Sequence, residues 1–492
     1  MTIEITASDI TASGLTTDQI STAMTPDTEN PSAESLRGLC GGQVHLPGDP
    51  GYDAARVAWN LAVEQHPAAV AQPRSAEDVS EVVRAAVAAG LRVAPQSTGH
   101  NAGPLAARGL DDVVIVHTSG LDQVSVDPTT RTCRVGGGAV WLPAVEAAAA
   151  EGLACLHGSS PDVGIAGYSL GGGIGWYARK LGLATNSLTA AEVVVADGTL
   201  LRVDAEHHPE LFWALRGGGG SFGVVTALEF RLYDIETAYA GMLIWDVAQA
   251  RTVLRRWARW AVTAPDEVTT SFRIMHLPPL PELPDMLRGR SVVVIDGAVL
   301  GTDEEAARIL ADLRELEPEV DTFARVPAAS LVRLHMDPEG GVPVASDSVM
   351  LAELPDEAVD AFVGAVADRA TTSLMIGELR QLGGALGRPH RGGGAVSQFD
   401  GAFLAFAGGM AMTPEMGMQV AADAMRLTGA LSSWASGSAY LNFCENEVDP
   451  SSAFGEQAWL QLKGIRSLVD PDGVFAANHQ VPRLYEDGCL TR

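Results

Sequence analysis

Gln96-Ser97-Thr98-Gly99-His100-Asn101-Ala102-Gly103 is the stretch that decides how this chain is read. Further along, Gly158-Ser159-Ser160-Pro161-Asp162-Val163-Gly164 is followed at once by Gly167-Tyr168-Ser169-Leu170-Gly171-Gly172-Gly173-Ile174-Gly175. Both are small-residue loops, and the first carries a histidine beside a glycine. Glycine has no side chain, so successive N–H groups can close on phosphate oxygens and form an anion-binding nest. Such loops let a backbone lie against a dinucleotide, with His100 placed to reach a flavin ring.

Working outward, Ser75-Ala76-Glu77-Asp78 reads as a capping box that starts a helix, with Val79, Val82, Val83, Ala86 and Val87 at helical spacing as far as Gly90. Arg92 to Pro95 is a short strand whose end delivers the His100 loop. Val113–Val116, Gln123–Val126 and Thr132–Val135 read as strands, and Glu192–Val203 as a hairpin turning at Asp197-Gly198. Trp141–Glu151 and His208–Leu215 are helical, and Val224–Leu232 is a strand. Gly218-Gly219-Gly220-Ser221-Phe222-Gly223 satisfies GxGxxG literally. That fingerprint needs a strand before it and a helix after it, and here the order is reversed, so a Rossmann site is rejected.

The pair of glycine loops resembles the berberine-bridge-enzyme-like branch of the vanillyl-alcohol-oxidase superfamily of FAD-dependent oxidoreductases, over about Leu36 to Pro482. The family's Gly-Gly-His segment matches at His100, with Thr98 in place of the first glycine. Its Cys-Pro-x-x-Gly segment matches at Ser160, Pro161, Val163 and Gly164, with serine in place of cysteine. The resemblance implies FAD bound through a single covalent bond to His100, the second bond being impossible at Ser160. It implies cofactor contacts from Gln96, Ser97, Thr98, Gly99, Asn101, Gly158, Ser160, Pro161, Val163, Gly164, Gly167, Tyr168, Gly171, Gly172, Gly173, Val224 and Asn478. It also implies an α+β fold: a two-subdomain PCMH-type FAD-binding domain and a substrate domain with a large antiparallel sheet backed by helices. The expected limits are a flexible tail at 1–35, the FAD domain at 36–232, the substrate domain at 233–439 and a C-terminal return at 440–492. The glycine run at 218–223 is expected as a turn near the adenosine half of the cofactor.

Tyr168 admits two readings, a packed aromatic or a phenol beneath the flavin that stabilises charge arriving on the ring. Tyr440-Leu441-Asn442-Phe443 resembles the family's Tyr-x-Asn-Tyr segment, making Tyr440 the first choice of base and Asn442 a pocket residue. A buried structural tyrosine is the other reading. In Gly377–Gly384, alternation puts Leu379 and Gln381 on one strand face and Glu378 and Arg380 on the other. Arg380 or Gln381 is expected at the substrate. His335-Met336-Asp337 and Glu445-x-Glu447 lack ligand spacing, so no metal is expected.

The formal charge of −28 argues against nucleic acid and anionic membrane, which select clustered Lys and Arg. Five scattered cysteines form no disulfide framework or zinc site, and the expected setting is cytoplasmic. The expected activity is oxidation of an alcohol or amine carbon of a sugar or natural product, with molecular oxygen as acceptor. A flavin dehydrogenase with another acceptor and a non-catalytic ligand-binding flavoprotein are the alternatives.

Overall fold

The chain is described from a computed structural model, in which residues 32–281, 285–484 and 486 are described. Residues 1–31 of the expected tail lie outside the described residues, and Ala33–Leu36 forms a 3-10 turn capped by Ser32 Oγ.

The helix Ala76–Ala88 starts at the expected capping box, Ser75 Oγ accepting from the Asp78 N–H and Asp78 Oδ2 from the Ser75 N–H. Its Val79, Val82, Val83 and Ala86 pack on a small sheet of β1 (Val44–His45), β2 (Ala69–Ala71), β3 (Arg92–Gln96) and β4 (Val113–His117) in the order β1-β2-β4-β3. The pairs β2/β4 and β3/β4 are parallel, which aligns the strand ends and throws the loop after Gln96 off one edge. A second, antiparallel sheet has the order β5-β6-β9-β7-β8, from β5 (Val124–Asp127), β6 (Thr132–Gly136), β7 (Leu188–Val194), β8 (Leu200–Asp204) and β9 (Val224–Arg231). Before β9 the order is helix Pro209–Gly218, then turn Gly219–Phe222, then strand, the reverse of a Rossmann site. That turn lies against β3, since a Cβ on Gly220 would stand 3.3 Å from Pro95.

The third sheet is eight-stranded and antiparallel. It contains β10 (Thr237–Asp246), β11 (Val268–His276), β12 (Ser291–Val299), β13 (Val320–Asp321), β14 (Ala324–Pro327), β15 (Val344–Leu351), β16 (Ile376–Gln381) and β17 (Phe403–Met410). The order is β13-β10-β12-β11-β16-β17-β15, with β14 also on β10. Helices Ala250–Thr263, Asp303–Arg314, Asp356–Val366 and Pro414–Ala430 bury one face of it through Trp257, Leu310, Phe362 and Leu427. The other face turns toward the glycine loops, so a site forms where the sheets meet. Helix Glu456–Val469 places Leu462 in the core of the second sheet, and residues 474–476 pair with Val93 beyond the open edge of β3.

Candidate active site

The two glycine loops touch. A Cβ on Gly164 would come within 2.5 Å of Ser97 Oγ, so only glycine allows the approach. Between them runs a cleft of about 420 Å³, lined by Trp59, Ser97, Thr98, His117, Ser119 and Asp162 among others. His100 stacks on Trp59, with ring centroids 4.0 Å apart and planes 18° apart. Its Nδ1 lies 2.7 Å from Thr98 Oγ1 and its Nε2 lies 3.8 Å from Asp162 Oδ1. Burial pulls the imidazole down to about 4, against the pull of Asp162 and Asp337, so the ring is neutral near pH 7 and keeps a lone pair.

Trp59 and Asp162 carry no role in the sequence reading, yet they organise this corner. Asp162 Oδ2 accepts from Trp59 Nε1 at 2.7 Å and from the Gly340 N–H at 2.8 Å, and its Oδ1 accepts from Ser160 Oγ at 2.8 Å. The serine in the cysteine position is therefore spent on holding a carboxylate. Asp162 stood in view between Pro161 and Val163; Trp59 has no motif, and only folding brings it there.

The second glycine run meets the C-terminal return. Tyr440 Oη accepts from the Gly173 N–H at 3.2 Å and from Asn442 Nδ2 at 3.0 Å, and Asn442 Nδ2 also reaches the Tyr168 carbonyl at 2.9 Å. Gly171 and Gly173 make this junction possible. A Cβ on Gly171 would fall 1.8 Å from Asn442 Oδ1, and one on Gly173, at φ +82°, 2.4 Å from the Tyr168 ring. Gly172 lies between them, also at positive φ. Burial pushes the Tyr440 phenol up to about 12, with Asn442, Arg380 and the Gly173 N–H pulling the other way. Burial also lifts Tyr168 well above the ordinary value, and its ring packs edge-on against Trp141. The Tyr168 ring is packed, and its hydroxyl is buried without a hydrogen-bond partner. Asn101 Nδ2 donates to the Leu441 carbonyl at 2.9 Å and Asn478 Nδ2 to the Asn101 carbonyl at 3.3 Å, tying loop to return.

Gln381 is placed otherwise than expected, and Val224 and Gly167 have surroundings of their own. Gln381 Oε1 accepts from the Thr270 N–H and hydroxyl and its Nε2 donates to the Ala261 carbonyl, because strand alternation turns it to the helical face. Arg380 alone faces the site. Val224, the first residue of β9, is fully buried in a core with Val93 and Val116, its side chain pointing inward. Gly167 is exposed, with no protein atom within 4 Å of where a Cβ would stand. Gly99, Gly158, Pro161 and Val163 hold their places in the loops, where the Pro161 and Val163 carbonyls accept from the start of helix Trp141–Ala150.

The fit of a flavin nucleotide is tested by what these residues leave unsatisfied. Gln96 Nε2, Ser97 Oγ, His100 Nε2, Asn101 Oδ1 and Tyr168 Oη are all buried without a hydrogen-bond partner. Buried polar atoms are rarely left so; others lie elsewhere, such as Thr189 Oγ1 and Arg466 Nε, but these five gather on the two glycine loops and their flanks. The residues fit a polar, elongated ligand with a ring near His100. Among the described residues, no group of His, Cys, Asp or Glu could hold a metal ion, and no helix is long and apolar enough to cross a membrane.

Fold and cleft together define an FAD-binding α+β protein, and the family described as FAD binding domain matches residues 67–204. The chain is 36% identical over 205 residues to (R)-6-hydroxynicotine oxidase of Paenarthrobacter nicotinovorans, covering 42% of this chain and 44% of that one. It is 34% identical over 236 residues to glucooligosaccharide oxidase of Sarocladium strictum, 47% of each chain. These matches span less than half the length of those relatives. The fold matches that of BBE-like 1 of Physcomitrella patens with TM-score 0.80 at 22% identity, covering 90% of this chain and 97% of that one. Residues 67–204 thus match the FAD binding domain, and the chain as a whole is similar in fold to the BBE-like FAD-linked oxidoreductases of the PCMH/VAO FAD-binding superfamily.

Proposed function

We propose that the protein is an oxidase of alcohol or amine carbons in sugars or natural products, working with FAD and molecular oxygen and releasing hydrogen peroxide. The observation that carries this is the set of buried unpartnered polar atoms along the two glycine loops. The names of the relatives, a nicotine-type oxidase and an oligosaccharide oxidase, support it. FAD, when bound, supplies the hydride acceptor and the electron route to oxygen.

The protein's own share is position and proton control. His100, neutral and clamped between Trp59 and the Asp162 side, is the proposed single covalent tether. Ser160 offers no thiol, and Cys155 is buried in the core with its thiol pushed up by burial. Tyr168 stays protonated and offers an O–H where negative charge would arrive. Tyr440 serves as base in its phenolate form, which arises by loss of the phenol proton to solvent, is held by the Gly173 and Asn442 N–H groups, and takes the proton of the substrate hydroxyl or ammonium. The proposed setting is the cytoplasm, in keeping with Cys40, Cys133, Cys155 and Cys444, all buried free thiols.

The test is acid precipitation of the purified protein beside His100→Ala. Yellow colour should stay with the wild-type pellet and leave the variant's. Colour released from both would remove His100 as tether, and a wild type without flavin would end the oxidase reading. Oxygen uptake with an alcohol or amine that bleaches the flavin separates an oxidase from a dehydrogenase.

A further inference from the structure

The face of the large sheet turned toward the glycine loops carries a buried chain of charges. Asp296 on β12 accepts from Ser271 Oγ, from Arg273 Nη2 at 2.5 Å and from His335 Nδ1 at 2.8 Å. His335 Nε2 lies 3.2 Å from Glu378 Oε1, and that same oxygen accepts from Arg380 Nε at 2.8 Å. Arg273, Asp296, His335 and Glu378 are 1%, 0%, 1% and 2% exposed. Register explains the alignment, since Asp296 pairs with Ser271, Ser271 with Arg380 and Arg273 with Glu378 across β12, β11 and β16.

Signs alternate along this chain. Burial and Arg273 oppose a proton on His335, but Asp296, Asp337 and Glu378 hold it, raised to about 9. Burial likewise opposes charge on Glu378, yet Arg380 and His335 hold it well below the carboxylate range. Arg273, His335 and Arg380 face Asp296, Glu378 and the more distant Asp337, and the open end of the chain is Arg380. Asp337 is half-buried, accepts from Ser159 Oγ at 2.8 Å and comes no nearer to His335 Nε2 than 4.0 Å.

Arg380 is held by one edge only. Its Nε is taken by Glu378, its Nη2 has contacts of 3.4 Å to Ser159 Oγ and His335 Nε2, and its Nη1 has no hydrogen-bond partner among the described residues. The guanidinium lies 4.9 Å from the centre of the Phe443 ring, which fixes its plane. That ring also stacks on Tyr440 at 5.3 Å, so anchor and base share one wall. In front lies a cavity of about 20 Å³ bounded by Ser159, Ile174, Gly175, Trp176 and Ser271. About 10–15 Å³ of such space holds one water, so it takes a small polar head group, with the rest of the molecule lying outside it.

We infer that the open Nη1–Nη2 end of Arg380 receives a substrate carboxylate, so that the oxidised molecule is a hydroxy- or amino-carboxylate. This rests on the oxidase reading for the reaction, while the anchor is argued from the sheet alone. A planar guanidinium with Nη1 free and Nη2 held only by 3.4 Å contacts matches a carboxylate in two-point contact, and its charge favours an anion over a neutral hydroxyl. Phe443, where the resembled family pattern has a second tyrosine, brings a ring without a hydroxyl against the fork.

The test titrates the purified holoprotein with benzoate and, separately, benzamide, by calorimetry. Benzoate should bind about tenfold to a hundredfold more tightly than benzamide, as a charge-assisted pair would give. Arg380→Gln should erase that preference, and Arg380→Lys, which keeps charge without the fork, should retain a part of it. Equal binding of acid and amide to the wild type overturns the inference without any variant, as does a preference unchanged in Arg380→Gln. A colourless protein that still prefers benzoate would sink the flavin reading and uphold this one. A yellow protein indifferent to the carboxylate would do the reverse.

Discussion

Replacing Tyr440 by phenylalanine removes one oxygen from the centre of the junction, and the structure sets what that should cost. Tyr440 Oη takes the Gly173 N–H at 3.2 Å and Asn442 Nδ2 at 3.0 Å. Without it the Gly173 N–H is left buried without an acceptor, while Asn442 keeps its bond to the Tyr168 carbonyl. One orphaned buried donor costs about 1–3 kcal/mol. The ring packing against Phe399 and Phe443 is unchanged by the substitution, so the fold should survive. Loss of a general base typically costs about 10²- to 10⁴-fold in kcat/KM. The pH dependence separates the two effects. With the phenol pushed up to about 12, the wild-type rate should climb with pH through the alkaline range as phenolate accumulates. In Tyr440→Phe that limb should vanish and the residual rate stay flat. The assay is steady-state peroxide release at fixed substrate and flavin content, with urea unfolding run in parallel. A variant within about threefold of wild type, or one that keeps the alkaline limb, refutes Tyr440 as base, since a catalytic proton acceptor is worth far more than that.

Asp162→Ala should strip Trp59 Nε1, Ser160 Oγ and the Gly340 N–H of their common acceptor, lowering stability by about 1–3 kcal/mol and reducing the flavin retained after acid precipitation. Unchanged retention at full flavin loading would show that Asp162 does not orient His100. Gly173→Ala forces a Cβ into the Tyr168 ring at positive φ, and a melting temperature equal to wild type would contradict the packing described. His157 is buried and neutral, held down to about 4 by burial against its bond to the Gly158 carbonyl. The unfolded chain binds this proton first, at about 6.5. Stability should therefore fall as pH drops from about 6.5 toward 4, by up to about 3 kcal/mol from this one group. A urea midpoint that is flat over that window would be inconsistent with a neutral, buried His157.

Much of the site was legible because its demands are local. A capping box, a strand end and a glycine at positive φ are properties of a few consecutive residues, so Ser75, the loop after Gln96 and Gly171–Gly173 could be read directly. The reversed context of Gly218–Gly223 could be read for the same reason. Gln381 and Arg380 were separable into opposite faces by alternation, but which face met helices depended on what packs there. Trp59 could not be found, because its partner Asp162 lies far along the chain and nothing near it announces a ring stack.

The sequence alone determined the class: two glycine loops with His100 between strand and helix, an α+β order of elements, and a serine where a thiol would be needed. Short-range sterics and hydrogen bonding decide such features, and they leave their mark in neighbouring residues. Tertiary structure alone decided the electrostatics. His335 and Asp337 looked like scattered polar residues until antiparallel register set Asp296, Arg273, Glu378 and Arg380 side by side, most of them fully buried. Charge pairing across strands depends on register and burial, which only the packed sheets settle.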